Sequence, residues 1–352
     1  MHSKDFSKIS MQFFKNSTSL VAVFFLLAFL LLCFEIYIPI NPWSKETVVF
    51  TVQKGWSDDN IAENLRKLKI VRGGYFFQLY AIMSFKHAGL KAGEYNLSPK
   101  MSIYTIVNKM AKGDVIRDKL VILEGWDVQD IGKYLESKNV CKQSYFVALA
   151  NKDYSGEFSA LGGPASGWDF LEDKPKNVGL EGYLFPDTYQ IARGETCEDV
   201  LTLMLDNFNQ KLTLALRTEI QKQNKSIFEM ITMASLLEKE VRISEEKKIV
   251  AGILWKRISV GMPLQLDSTV NYITGKNDPG AKIKDTKIDS PYNTYKYKGL
   301  PKGPIASPGM DSILSAMKPK KTNYWYYMTD GKTIFSETFA QHQAAIYNHL
   351  AQ

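Results

Sequence analysis

Histidine and cysteine, from which metal centres and reactive nucleophiles are often built, are scarce in this chain. Its 352 residues hold four histidines (His2, His87, His342, His349) and three cysteines. No His-Glu-x-x-His occurs and no Cys/His cluster has zinc spacing, so neither a metal nor another cofactor is expected. A glycine-rich phosphate loop and a Gly-x-Ser-x-Gly elbow are also missing, which argues against an NTPase and an ordinary serine hydrolase. There is no Lys/Arg-rich block. The net charge of +7 is modest for this length, so nucleic acid is not an expected partner, and the excess implies mild attraction to an anionic polymer or to lipid headgroups.

Leu20 to Phe34 is one apolar run, and with Glu35 tolerated it continues through Ile36, Ile38 and Ile40. That reaches the ~20 residues needed to cross a bilayer. Lys4, Lys8 and Lys15 precede it, which predicts a cytoplasmic N-terminus over 1–19, an anchor over 20–40 and an exported remainder in the periplasm. No small-x-small cleavage site follows the run, so an uncleaved anchor is favoured over a signal peptide. Cys33 falls in the anchor. Cys141 and Cys197 then face a disulfide-permissive compartment, where they either pair or remain two partly buried thiols.

An internal repeat follows. Val52-Gln-Lys54-Gly55-Trp56 through Ile61 and Leu65 returns 70 residues later as Ile122-Leu-Glu124-Gly125-Trp126 through Ile131 and Leu135. Each copy reads as a strand, a Gly-Trp turn, a helix and a second short helix, a small α+β unit. In pattern and element order the copies, over 46–152, resemble LysM-type modules, which bind N-acetylglucosamine-containing glycans. Trp56 and Trp126 either stack on sugar rings or pack in the core after a tight glycine turn. Residues 153–180, rich in Gly, Pro, Asp and Lys, read as a connection.

A second domain is expected over 181–352, with helices near 197–215, at 225–241 and at 244–260, then strands and loops. In the middle helix Ile227, Met230, Ile231, Ala234, Leu237 and Val241 form one apolar face at 100° per residue, and Glu238 falls on it. A carboxyl among apolar neighbours loses hydration, which favours its protonated form and suits a general acid. Glu240 leaves the helix roughly 160° away and is expected to form a salt bridge or support the site.

Six blocks, in order, make the chain recognisable. They are Leu180-Glu181-Gly-Tyr183-Leu-Phe185-Pro-Asp187-Thr-Tyr189, Met233-Ala-Ser-Leu-Leu-Glu238-Lys-Glu240, Gly261-Met-Pro-Leu-Gln265-Leu-Asp267-Ser268-Thr269, Ser290-Pro-Tyr292-Asn293-Thr-Tyr295, Gly299-Leu-Pro-Lys302-Gly-Pro-Ile-Ala-Ser307-Pro-Gly309, and Phe335-Ser through His342. The chain resembles the YceG-like endolytic murein transglycosylases, of the MltG type. The resemblance implies an α+β chain in the bacterial inner membrane: a transmembrane helix, LysM-like modules and a mixed α+β catalytic domain. It implies cleavage of nascent peptidoglycan between N-acetylmuramic acid and N-acetylglucosamine, without water, leaving a 1,6-anhydro end. Peptidoglycan strands are the implied partner, with peptidoglycan synthases as further candidates.

The resemblance makes Glu238, the first acid of Glu-Lys-Glu, the catalytic residue. Gln265, Asp267, Tyr183, Tyr292 and Asn293 are candidate substrate contacts, with Glu240 beside them. Lys302, Ser307, Ser268 and Thr333 depart from the family's usual residues and leave the cleft rim in question. Two other functions remain open at this point. In a hydrolytic glycosidase, Asp267 or Glu181 would act as base or nucleophile. In a wall-binding scaffold, Glu238 would be structural.

Overall fold

The computed structural model describes residues 3–152, 154, 168–276, 280–330 and 332–350. Half of the expected connection over 153–180, residue 153 and residues 155–167, lies outside the described residues. The chain divides into two compact units, one of Met1–Asp118 with Gln190–Gly194, the other of Lys119–Tyr189 with Glu195–Gln352.

The first unit begins with helix α1 (Ser3–Tyr37), whose Leu20–Tyr37 stretch is long and apolar enough to cross a membrane, with a mean hydropathy of 2.7. Arg72 reaches its end, donating to the carbonyls of Ile38 (2.9 Å) and Pro39 (2.7 Å) and lying over the Phe34 ring. Then come β1 (Val48–Val52), α2 (Asp58–Lys67), α3 (Gly74–Met83), β2 (Gly93–Leu97) and α4 (Ile103–Lys112). β1 and β2 pair antiparallel, Val48 opposite Leu97 and Val52 opposite Gly93. Alternate residues Phe50, Val52, Tyr95 and Leu97 point into one core with Ile61, Leu65, Phe77, Ile106 and Met110. Ser57 and Ser102 cap α2 and α4 by accepting from backbone N–H groups three residues on.

In chain order the next elements are β3 (Arg117–Val121), α5 (Val128–Ser137), α6 (Gln143–Ala150) and β4 (Thr188–Ala192), with β3 paired to β4. The second copy of the repeat thus has the element order of the first. Gly55 (φ +88°) and Gly125 (φ +78°) both take the left-handed conformation that glycine tolerates without a steric penalty. The remaining elements are α7 (Cys197–Lys211), α8 (Leu214–Lys222), α9 (Ile227–Glu240), α10 (Ser244–Ser259), α11 (Asp267–Thr274), α12 (Met310–Met317), the antiparallel hairpin β5 (Tyr326–Asp330) and β6 (Lys332–Ser336), and α13 (Phe339–Leu350). The segment expected as strands and loops therefore also carries three helices. Cys141 and Cys197 are joined, Cα to Cα 5.8 Å, which settles the pairing that the sequence left open. Closing 56 residues this way stabilises a fold by about 4 kcal/mol in the chain-entropy account.

Helix α9 departs from the one-sided pattern. Thr232, Met233, Ser235 and Leu236 are as fully buried as Ile231, Ala234 and Leu237, because α8, α10, α11 and α12 pack around it. The helix is half-buried in its first turn, Ile227 to Glu229, and comes into the open again in its last turn, Glu238 to Glu240.

Candidate functional site

That last turn opens on a cleft of about 1200 Å³ in the second unit. Discrete small-molecule pockets run to ~1,000 Å³; this volume suits a segment of polymer. Its walls include Glu124 and Trp126 from the second Gly-Trp turn, Glu238 and Glu240, the Leu264–Ser268 segment, Tyr295, Tyr327 and His342.

Glu238 is held by polar groups, which corrects the expectation of an apolar wall. Its Oε2 accepts from the Gly309 N–H (2.9 Å) and from Ser312 Oγ (2.7 Å), and Lys247 Nζ lies 3.4 Å from Oε1. Gly309 is the N-cap of α12 and Ser312 lies in its first turn, so the carboxylate also meets the positive end of that helix. Lys247, on α10 and only 3% exposed, bridges to Asp311 Oδ2 at 3.4 Å. Asp311 in turn accepts from Ser244 Oγ at 2.6 Å. Periodicity placed Glu238 on the buried side correctly. It could not show that the groups meeting it there come from two other helices.

Glu240 lines the same cleft. Ser268 Oγ donates to its Oε1 (2.6 Å) and the Tyr327 hydroxyl to its Oε2 (3.0 Å). Burial pushes this carboxyl above the ordinary glutamate range; the two donors oppose the shift and Asp267 adds to it. The partners of Glu240 are these two hydroxyls, and among the described residues it forms no salt bridge.

Gln265 and Asp267 also line the cleft. Gln265 is exposed and takes a left-handed backbone, φ +56°, a conformation that costs free energy outside glycine and is found at functional positions. Its N–H bonds to the Thr294 carbonyl (3.1 Å), and the next N–H, of Leu266, to Thr294 Oγ1 (2.9 Å). Asp267 accepts from the Tyr295 hydroxyl at 2.5 Å. Arg257 secures both sides, donating to the carbonyls of Leu264 (2.7 Å) and Trp325 (2.8 Å).

The other three candidates lie elsewhere. Tyr183 is fully buried between Phe170 and Phe208, with ring centroids at 6.0 and 5.4 Å. Asn293 is also fully buried, its amide donating to the carbonyls of Thr286 and Ile288 while its oxygen accepts from Tyr295 N. It shapes the turn that presents Tyr295. Tyr292 packs on Tyr272 at 5.1 Å and is not among the cleft-lining residues. In each case the bulk of a tyrosine or the polarity of an asparagine pointed equally to packing. Glu181 is enclosed as well. It accepts from Val128 N (3.1 Å) and the Tyr272 hydroxyl (3.3 Å), and burial raises its carboxyl to about 8. Among the described residues no group of three or more His, Cys, Asp or Glu side chains is placed to hold a metal ion.

Sequence reasoning missed Glu124, Lys247, Tyr327 and Arg257. Only Glu124 carried a signal: it stands in the repeat opposite Lys54.

With this geometry in place, the comparisons with known proteins are specific. Residues 50–348 match the YceG-like family, and the chain belongs to it. It is 31% identical over 319 residues, 89% of this chain and 88% of the relative, to a Bacillus subtilis (strain 168) protein named endolytic murein transglycosylase. A protein of the same name from Streptococcus pneumoniae (strain R6) is 30% identical over 341 residues, 89% of this chain and 60% of that protein. A crystal structure of a yceG-like protein from Listeria monocytogenes is similar with a TM-score of 0.56 at 32% identity, covering 86% of this chain and all of that one.

Proposed function

We propose that this protein is an endolytic murein transglycosylase whose acid and base is Glu238. The observation that carries the reading is the placement of Glu238 on a polymer-sized cleft, oriented by Gly309 N–H, Ser312 and Lys247. Glu238 gives its proton to the glycosidic oxygen as the bond from muramic acid C1 to that oxygen breaks. The C6 hydroxyl of the same muramic acid then attacks C1, and its proton passes to the Glu238 carboxylate. A 1,6-anhydro ring forms, no water is consumed and the enzyme regains its starting state. The two donors and the lysine hold the carboxyl in one place for both transfers.

Gln265 and Asp267 bind sugar hydroxyls or acetamido groups from the facing wall. Glu240 fixes that wall to β5 through Ser268 and Tyr327. The N-terminal helix anchors the chain in the inner membrane with the lysine-bearing end cytoplasmic. The exported part works where the Cys141–Cys197 bond persists. The Gly-Trp copies act as LysM-like glycan-binding modules beside nascent strands, within reach of the synthases. Enclosure of Glu181 disfavours it as a hydrolytic base or nucleophile. Mass spectrometry of products from uncrosslinked glycan strands tests the reading. Anhydro ends from the wild type, and none from Glu238→Gln, are expected; reducing ends would establish a hydrolase.

A further inference from the structure

We propose that the exposed face of α3 is a membrane-docking surface, seated at the headgroup level of the bilayer that α1 crosses. The inference goes beyond the reaction and rests on the anchor reading of α1.

Helix α3 reads Gly-Tyr-Phe-Phe-Gln-Leu-Tyr-Ala-Ile-Met, in which Gln78 is the one amide and no residue is charged. A helix that is apolar on every side belongs in a core or in lipid. The core of the first unit takes one side of it, where Phe77 and Ala81 are buried. On the other side Tyr75, Ile82 and Met83 are each more than half exposed. At 100° per residue Tyr75, Leu79 and Ile82 form one stripe, with Met83 at its edge. Contiguous apolar surface of this kind marks a contact with protein or membrane.

The residue that follows the helix carries the same sign. Phe85 is 90% exposed and takes a left-handed backbone, φ +56°. It closes the helix: its N–H bonds to the Ile82 carbonyl and the Lys86 N–H to the Ala81 carbonyl, each at 2.9 Å. Glycine usually stands at this place, and a bulky residue there is an outlier. The chain bears that strain in order to hold an aromatic ring out from the surface, next to Ile82 and Met83.

The position of α3 identifies what covers it. Helix α1 packs on α3 and α4. Arg72, just ahead of α3, donates to the carbonyls of Ile38 and Pro39 and lies 4.7 Å from the centroid of the Phe34 ring. Tyr80, near the other end, meets Tyr104 at 6.0 Å, and Tyr104 meets Tyr37 at 5.5 Å. Both ends of α3 are thus tied to residues 34–39, where the apolar stretch Leu20–Tyr37 runs out. That places α3 at the depth of the bilayer surface. Tyr37, Tyr80, Tyr104 and the exposed Trp43 gather at this level, the residue types that favour a membrane–water boundary. The fold of the unit does not itself demand an apolar surface here, because in the second copy an exposed lysine, Lys152, stands at the position of Ile82.

The test uses the full chain in vesicles of phosphatidylethanolamine and phosphatidylglycerol. With Cys141 and Cys197 joined, Cys33 is the free cysteine. A polarity-sensitive fluorophore is placed on Cys33 or, in a Cys33→Ser background, on Ile82→Cys, Phe85→Cys or Thr51→Cys. Thr51 is exposed on β1, whose neighbours Phe50 and Val52 face the core. Lipids carrying a nitroxide high on the acyl chain serve as the quencher. Labels at 82 and 85 should lose about half of their fluorescence, since a docked face sits roughly 5–10 Å into the headgroup–acyl boundary, and the label at 51 should lose almost none. Losses at 82 and 85 no greater than at 51, with Cys33 quenched, overturn the proposal. So do labels at 82 and 85 that are shifted to the blue but not quenched, which means that glycan or a second copy of the chain covers the face. An unquenched label on Cys33 is a separate result, which removes the anchor reading and this inference with it.

Discussion

The two Gly-Trp turns were built to the same plan and differ in what surrounds them. Trp56 N bonds back to the Gln53 carbonyl (3.2 Å) and Trp126 N to the Leu123 carbonyl (3.4 Å), closing equivalent turns. A Cβ added to Gly55 would meet nothing within 4 Å, whereas one added to Gly125 would touch Glu238 Cγ at 3.7 Å and Lys239 Cδ at 3.8 Å. Trp56 turns its indole N–H to Gln53 and packs edge-on to Phe50, while Trp126 lies on Tyr134 and lines the cleft. The first turn carries Lys54, the second Glu124. One supersecondary unit thus occurs twice, once with its turn away from the cleft and once with its turn in the wall of the cleft that Glu238 lines.

The sharpest way to break this contrast is to remove the acid beside the second turn. Glu238→Gln keeps the side chain's shape and cannot shuttle a proton, so cleavage should fall by about 10²–10⁴-fold or more with folding intact. Glu240→Gln should cost far less activity, since Gln still accepts from Ser268 or Tyr327. If initial rates of strand cleavage rank the two variants the other way, the second turn borders the wrong acid.

A smaller effect separates the turns themselves. Gly55→Ala and Gly125→Ala each force a side chain into the left-handed region, at about 1–2 kcal/mol. Melting temperatures should drop similarly for both, but only Gly125→Ala should lower the specific activity of the folded fraction. Gly309→Ala should also lower activity, because its Cβ collides with Glu124 and shifts the N–H that holds Glu238. Equal activity loss from Gly55→Ala would show that the first turn also serves the reaction.

The repeat, the three longest helices of the second domain and the position of Glu238 were all legible from sequence, because they rest on local periodicity and turn chemistry. What stayed hidden depends on groups brought together from distant segments. Lys247 sits in Ser244-Glu-Glu-Lys-Lys, where nothing distinguishes the buried lysine from the half-buried one beside it. Tyr183 and Tyr189 stand in one recognisable block, yet both are buried. The apolar face drawn through α9 misled because a helix enclosed on every side makes its own periodicity uninformative about what meets its end.

The third prediction concerns the start of α5, which has no counterpart in α2. Glu181 sits beneath Val128 N with its carboxyl raised to about 8 by burial, against an unfolded value of 4.5. The folded state keeps a proton that the unfolded state releases between these values. The resulting stability is complete below pH 4.5 and is lost as pH rises through about 8, a change on the order of a few kcal/mol. Thermal melts of the full chain should therefore fall between pH 5 and 8, and Glu181→Gln should flatten that slope. Hydrogen exchange should localise the change to α5 and leave α2 unaffected. A slope that survives in Glu181→Gln would assign it to other groups.

The smallest effect lies at the far end of the paired helices. Both finish in the same way: Ile70 N bonds to the Leu65 carbonyl and Val140 N to the Leu135 carbonyl, each at 3.0 Å, while the residue before closes an inner bond to Arg66 or Glu136. This six-to-one ending requires a left-handed residue just past the cap, and Lys69 (φ +55°) and Asn139 (φ +56°) supply it. Asparagine enters that region more readily than lysine. Lys69→Asn should therefore stabilise the end of α2 by about 0.5–1 kcal/mol, and Asn139→Lys should weaken the end of α5 by a similar amount. Amide exchange in the last turn of each helix should change by about two- to fivefold in opposite directions, the fold-change that such energies give. If both substitutions shift exchange in the same direction, the two helix ends are not equivalent, and the likeness of the copies stops short of their second helices.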